Sequence, residues 1–282
     1  MHYLNQKVGE IFMDIDINVV KSEILKELID LKDPKKEIVG FAGKDKKVYT
    51  VGSDSKIIGR LFEVLTQPKL EKVAKKLHLN LNESPKQTIY PDFWLSNPNN
   101  PDRNRIAIDI KTTYRHGKKS KFGFTLGSYT SFLRNGTKNI AGSYDMYSTH
   151  LIIGFIYTRN VNYVTEVIPF SEVESATPAV LDIDYFVAEK YKISGEKPGS
   201  GNTANIGTIS SENMLDFSGE RGPFATIGNN IFEDYWRNYP TPSERANNKE
   251  KYTDLEGYIK WKKNIDPQKG EEIERLMKKF NN

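Results

Sequence analysis

The stretch PDFWLSNPNNPDRNRIAIDIKTTY, residues 91–114, places an acid and a base in an apolar β-strand. Residues 105–111, RIAIDIK, alternate as a strand does, so that their three isoleucines point to one face. Asp109 and Lys111 then share the opposite face, roughly 6–7 Å apart. Because burying two charges costs desolvation free energy, such pairs recur at functional sites.

A second carboxylate stands at the beginning of the same stretch, where Asp92 follows Pro91. On an adjacent strand it would join Asp109, and two carboxylates with phosphate oxygens and water form the kind of site that Mg²⁺ prefers. The Lys111 ammonium could stabilise the pentacovalent transition state or, with a lowered pKa, help to deprotonate the attacking water. These residues predict metal-assisted phosphodiester hydrolysis. The competing interpretation is a structural ion pair on an edge strand beside an unrelated turn aspartate.

The composition excludes several classes of protein. The chain has 282 residues and no cysteine, which rules out disulfides, thiolate zinc sites and cysteine nucleophiles. Its net charge of +4, from 41 Lys and Arg against 37 Asp and Glu, is only mildly basic. No apolar run approaches the roughly 20 residues of a membrane span, and the N-terminus lacks a signal pattern. We therefore expect a cytoplasmic protein without a membrane partner, folded as one domain with appendages.

Hydrophobic periodicity and turn residues predict mixed α and β structure along the rest of the chain. The expected elements are, in order, a helix over 19–31, a hairpin over 37–52, a helix from 53 or 54, a separate short helix from Pro68, a loop region over 80–105 around one short strand, a buried strand over 150–159, a long loop over 195–230 and helices over 231–280.

A basic segment rich in aromatic residues is the second clue to function. Residues 111–144 contain seven Lys or Arg and no Asp or Glu. Such a surface would bind a polyanion, although a solvated basic face has the same composition. Residues 199–204, GSGNTA, formally match the G-x-G-x-x-A of dinucleotide-binding oxidoreductases without its strand and helix context. Asn and Thr in this loop could instead contact base edges.

Several stretches of the chain carry a resemblance to a known family through their order and spacing. They are VGSDSK (51–56), YPDF (90–93), IAIDIKTTY (106–114), FTLGSYTSF (124–132), NGTKNI (135–140), GSGNTANIG (199–207) and DYWRNY (234–239). Together they resemble the EcoRV family of type II restriction endonucleases, within the PD-(D/E)xK superfamily, from about residue 20 to about residue 260.

This resemblance implies the fold and its division into parts. The fold would be α/β, with a restriction-endonuclease-like mixed β-sheet core flanked by helices and a small dimerisation subdomain. Residues 1–18 would be an N-terminal extension, 19–262 the catalytic and DNA-binding domain, and 263–282 a basic helical tail. Residues 19–50 would contribute to the dimer interface.

The resemblance also implies roles for individual residues. Asp92 and Asp109 match the family's metal-binding carboxylates, Lys111 matches its catalytic lysine, and Glu63 matches an auxiliary acid near the metals. Pattern alone indicates only a solvated helix residue at Glu63. The positions implied to contact DNA are Gly199, Ser200, Gly201, Asn202, Thr203 and Asn205 in the major-groove loop, Gln87 in the minor groove, Thr112 and Thr113 at backbone phosphates, and Lys138 and Arg245 as further contacts.

The implied activity is Mg²⁺-dependent cleavage of both strands of duplex DNA, with Mn²⁺ able to substitute. The site would be the palindrome GATATC, cut to blunt ends with 5′-phosphates by a homodimer. A cognate DNA methyltransferase is expected in the same system but not as a stable subunit. The alternatives are a non-catalytic DNA-binding module, a repair or structure-selective nuclease on the same core, and a nucleotide-binding oxidoreductase.

Overall fold

A central mixed β-sheet flanked by helices forms the framework of the protein. The computed structural model describes residues 16–33, 37–117, 119–163, 165–199, 204–247 and 249–280. The helices of this part of the chain are α1 (Ile17–Leu28), α2 (Ser55–Lys76), α3 (Lys190–Ile193), α4 (Met214–Ser218), α5 (Phe224–Ile227), α6 (Asn229–Asn238), α7 (Pro242–Ala246), α8 (Leu255–Ile265) and α9 (Pro267–Phe280). The strands are β1 (Gly40–Ala42), β2 (Lys47–Thr50), β3 (Asn80–Glu83), β4 (Phe93–Ser96), β5 (Arg105–Arg115), β6 (Thr125–Ser128), β7 (Tyr147–Arg159), β8 (Val167–Pro169), β9 (Val180–Glu189), β10 (Ser194–Pro198) and β11 (Asn205–Thr208).

The central sheet has five strands in the order β3-β4-β5-β7-β9. Strands β5 and β7 run parallel, whereas the other neighbouring pairs are antiparallel. The register sets Phe93 opposite Ile108, so the next step along this antiparallel pair brings Asp92 beside Asp109. Strand pairing thus joins two residues that a turn-rich connection separates in the sequence.

The predicted alternation of side chains along β5 is confirmed, and both faces of the strand are covered. Ile106, Ile108 and Ile110 belong to the core cluster formed with α1 and α2, and Ala107 belongs to the cluster on the other face. Each fully buried isoleucine stabilises the fold by about 1.5–3 kcal/mol. These contacts fix which face of β5 carries Asp109 and Lys111, because a slip of one residue would turn every side chain over.

The prediction of a separate helix from Pro68 is wrong, because α2 continues through Pro68 to Lys76. Proline removes one helical hydrogen bond and leaves the carbonyl of residue 64 without its donor. Both Pro68 and Val64 lie on the exposed side of α2, where water can bind that carbonyl. Leu70, Val73 and other apolar residues beyond the proline are buried, and this packing holds the helix together.

The regions predicted as loops contain more structure than expected. Residues 80–105 hold two strands, β3 and β4, rather than one. β3 has the sequence NLNE, whose polar edge-strand character hides it from a hydrophobic pattern. Residues 195–230 hold β10, β11, α4 and α5, of which β11 forms by pairing with the distant β6.

The predicted hairpin over 37–52 is confirmed, with β1 and β2 joined through the turn at Lys44 and Asp45. β8 pairs with the other edge of β2 to complete a three-stranded sheet. The helices over 231–280 are also confirmed, and α9 buries Ile273 against the core cluster. In the part of the chain that the structure describes, none of the helices combines the length and apolarity needed to cross a bilayer.

Gly154 in the middle of β7 offers a test of sheet packing. A Cβ at this position would overlap the ring of the fully buried Phe186 on β9. We expect Gly154→Ala to lower the free energy of unfolding by about 1–3 kcal/mol, because the ring must leave its packed position. Urea unfolding measures this change, with Gly136→Ala as the control, since a Cβ there meets no atom within 4 Å. Equal losses in the two variants would contradict the packing described here.

Candidate active site

Two adjacent strands bring Asp92, Asp109 and Lys111 together. Asp109 and Lys111 project from the same face of β5, and Nζ of Lys111 lies 2.5 Å from Oδ2 of Asp109. Asp109 is only 4% exposed. Asp92 immediately precedes β4, and its Oδ2 accepts a hydrogen bond of 2.6 Å from the backbone N–H of Ile110. The arrangement that the sequence pattern predicted is therefore present in the fold.

Burial and mutual charge set the protonation of this group. Burial, reinforced by the neighbouring charge of Asp109, raises the pKa of Asp92 to about 7. Burial alone would lower the pKa of Lys111, but the carboxylates of Asp109 and Asp92 outweigh it and hold this pKa above its usual value. Without a metal, Lys111 is therefore an ammonium ion near neutral pH.

The donor set fits a hard divalent cation. Oδ2 of Asp109 is buried, and apart from its ion-pair contact with Nζ of Lys111 it has no hydrogen-bond partner among the described residues. An extra cation beside Asp109 and Asp92 would relieve the repulsion that raises the pKa of Asp92. The described residues contain no cluster of three or more metal-ligating side chains. Water and phosphate oxygens would therefore complete the coordination shell of an ion bound by these carboxylates, as is usual for Mg²⁺.

Glu63 lies close to this group but is held by another residue. It is on α2, and its Oε2 is 2.5 Å from Nη1 of Arg60. Glu63, Arg60 and Asp92 line one cavity, whereas Asp92, Asp109 and Lys111 line a second cavity of about 200 Å³. Asp92 thus stands between the two cavities.

A layer of aromatic and basic side chains surrounds Tyr90, and the sequence patterns did not predict it. The hydroxyl of Tyr90 shares a hydrogen bond of 2.8 Å with Nδ1 of His150, and the Tyr90 ring stacks on Phe132 with centroids 4.3 Å apart. Nζ of the buried Lys190 lies 4.7 Å from the centroid of the Tyr90 ring. In the sequence, Lys190 stands beside Glu189 and near Lys192 and has the pattern of a solvated lysine, so no local signal could have revealed it.

The positions implied to contact DNA fall into separate places. Thr112, Thr113 and Gly199 line one groove between the end of β5 and the β10–β11 hairpin. The backbone N–H of Gly199 donates to the carbonyl of Asn205 at 2.9 Å, which closes the base of the hairpin. Gln87 is exposed and lines both cavities beside Asp92.

Other predicted DNA contacts lie elsewhere. Lys138 is exposed on a turn. The next residue, Asn139, lines the cavity that Asp92, Asp109 and Lys111 share. The guanidinium of Arg245, on α7, lies 5.7 Å from the ring centroid of Tyr239. Neither Lys138 nor Arg245 is among the described residues that line the cavities. Four further positions fall outside the described residues: Ser200, Gly201, Asn202 and Thr203.

A mixed sheet that joins Pro-Asp to Asp-x-Lys defines the PD-(D/E)xK class of nucleases. The family model "Restriction endonuclease EcoRV" matches residues 32–263. The type II restriction enzyme EcoRV of Escherichia coli is 37% identical over 244 residues, which are 86% of this chain and 97% of that enzyme. The chain therefore belongs to the EcoRV family of restriction endonucleases and is a DNA-cleaving type II enzyme.

A weaker similarity is to the solved structure of the NlaIV restriction endonuclease. It is 13% identical with a TM-score of 0.40, over 86% of this chain and 95% of that one.

The pKa of Lys190 predicts a pH dependence of stability. Burial lowers this pKa to about 8, so between about pH 8 and 10 the unfolded chain binds more protons at this residue than the folded protein does. Stability should rise with pH across that window. We expect Lys190→Met to remove about 1–3 kcal/mol of this rise.

Urea unfolding of the metal-free protein from pH 7.5 to pH 10 measures the effect. The same substitution at the exposed Lys72 controls for the change of side chain. Parallel stability curves for the wild type and Lys190→Met would contradict the prediction.

Proposed function

We propose that this endonuclease hydrolyses both strands of a short DNA palindrome with Mg²⁺ held by Asp92 and Asp109. The observation that carries the proposal is the ion pair of the buried Asp109 with Lys111. Asp92 lies opposite Asp109, immediately before the neighbouring strand β4. Carboxylate oxygens suit Mg²⁺, and Mn²⁺ can take the same ligands.

The residues of the site can be given separate tasks in the reaction. Bound Mg²⁺ supplies Lewis-acid polarisation of the scissile phosphate. The Lys111 ammonium stabilises the charge that develops when a water oxygen attacks phosphorus and the bond to the 3′ oxygen breaks. The products are a 5′-phosphate and a 3′-hydroxyl. The contact of Nζ of Lys111 with the Asp109 carboxylate favours the charged form of the lysine and supports this electrostatic role.

The proposed recognition site is GATATC, cleaved to blunt ends. Support comes from the 37% identity with the Escherichia coli enzyme and from GSGNTANIG at residues 199–207. Asn205 and the main chain of Gly199 would face the outer bases, together with the loop residues between them. Thr112 and Thr113, at the edge of the same groove, would contact backbone phosphates. Gln87 would reach the minor groove, and Lys138 and Arg245 would add charge along the backbone.

Digestion of unmethylated plasmid DNA with a single GATATC site tests the activity. Wild-type enzyme should give blunt cuts at that site with Mg²⁺ and none with EDTA. Lys111→Ala should cut at least about 10²–10³-fold more slowly, because a charge aimed at the transition state is lost. Lys75→Ala, on the exposed face of α2, is the control. Cuts at other sequences would overturn GATATC, and cutting of branched DNA irrespective of sequence would favour a structure-selective nuclease.

The working unit is proposed to be a homodimer, because a palindrome presents two equivalent half-sites. One face of the small sheet carries an apolar row that supports this proposal. Phe41, Tyr49 and Val167 are neighbours across β1, β2 and β8, and they are 55%, 45% and 54% exposed. A second copy of the chain would cover this row.

Tyr49→Lys should weaken dimerisation by about 10- to 100-fold, because it places a charge at the centre of the apolar row. Sedimentation velocity over a concentration series measures the association. Val161→Lys is the control, since Val161 is 91% exposed on a turn. If both variants dimerise as the wild type does, this face is not the interface.

The cellular setting follows from the substrate. An enzyme that cuts a short palindrome must work in the cytoplasm of a cell whose own sites are protected. We therefore infer a cognate DNA methyltransferase of the same specificity, acting on the DNA rather than bound to this protein.

A further inference from the structure

Arg60 links the helix that carries Glu63 to the edge of the central sheet. Its Nη1 lies 2.5 Å from Oε2 of Glu63, one turn further along α2. Its Nη2 lies 3.8 Å from Oε1 of Glu83 at the end of β3. The guanidinium therefore bridges two carboxylates that belong to different elements of the fold.

These three residues line a cavity of about 210 Å³. It adjoins the cavity that Asp92, Asp109 and Lys111 share, which is called the catalytic cavity below. The lining of the first cavity includes Glu63, Glu83 and Asp92 as acids and Arg60 and Lys86 as bases. Asp92 also lines the catalytic cavity, and its charge acts on Arg60. The positive charge of Arg60 thus offsets part of the negative charge of the three acids, one of which, Asp92, is a proposed metal ligand.

The geometry limits what Glu63 can bind. Oε2 of Glu63 accepts a hydrogen bond of 2.5 Å from Nη1 of Arg60, so a divalent cation would have to compete with the guanidinium for this carboxylate. A divalent cation placed there would also be repelled by the guanidinium, which remains charged at any accessible pH.

We propose that Arg60 takes the place of a second divalent cation on the Glu63 side of the active site. The inference rests on the proposed function, in which Asp92 and Asp109 hold the metal ion. Each chain then binds one divalent ion at those carboxylates, and Arg60 is a built-in positive charge beside it. Arg60 is 46% exposed, so its Nη2 group can also donate to a phosphate oxygen that enters the cavity.

Counting bound Mn²⁺ ions by electron paramagnetic resonance tests the proposal on the full-length protein without DNA. We expect about one ion per chain for the wild type and about two for Arg60→Ala, because removing the guanidinium frees Glu63 as a ligand. The double variant Arg60→Ala/Glu63→Gln should return to about one. Arg60→Lys, which keeps the positive charge, should also bind about one.

Two controls separate the possible failures. Lys72→Ala removes a positive charge from the same helix at an ion pair with Glu27 and should leave the count unchanged. Asp109→Asn should abolish the ion of the wild type, and if it does not, the proposed metal site itself is wrong. If Asp109→Asn does abolish it, two ions in the wild type or one in a folded Arg60→Ala protein would overturn the role of Arg60 alone. Circular dichroism establishes that each variant is folded.

Discussion

The pairing of β5 with β4 on one side and β7 on the other is the constraint on which the active site depends. The pairing places β5 inside the sheet, and the two core clusters cover its faces, so Asp109 lies where bulk water is largely excluded. Low local dielectric strengthens every charge interaction there. Burial of Asp109 beside Asp92 leaves an excess of negative charge that water does not solvate. An additional positive charge relieves this excess, which is why the site favours a cation.

The elements that the sequence predicted well are those whose signal is local. Alternating isoleucines in β5, the continuous apolar run of β7 and the turn residues of the β1–β2 hairpin report burial and chain reversal directly. The elements that were missed depend on distant partners. β3 is polar and exists because β4 lies beside it, and β11 pairs with β6 from another part of the chain. The helix break that Pro68 predicts is absent because buried apolar residues beyond it continue α2, and a propensity rule does not include such packing.

The site shows the same division between local and distant information. Asp109 and Lys111 follow from strand periodicity, and Asp92 follows from the expectation of a neighbouring strand. Glu63 came only from family resemblance, because an acid on an amphipathic helix carries no pattern of its own. Arg60 and Lys190 gave no signal at all, since a single basic residue in a sequence does not reveal which carboxylate or aromatic ring it will meet.

The connection between β2 and α2 has a mechanical consequence. Only residues 51–54 separate the end of the small sheet from the first turn of the helix, and four residues span at most about 14 Å when extended. Asp54 uses part of this length to cap α2 through its side chain. A connection of this length restricts how far the small sheet and α2 can move apart. The position of the small sheet is therefore tied to that of the helix whose first turns carry Arg60 and Glu63.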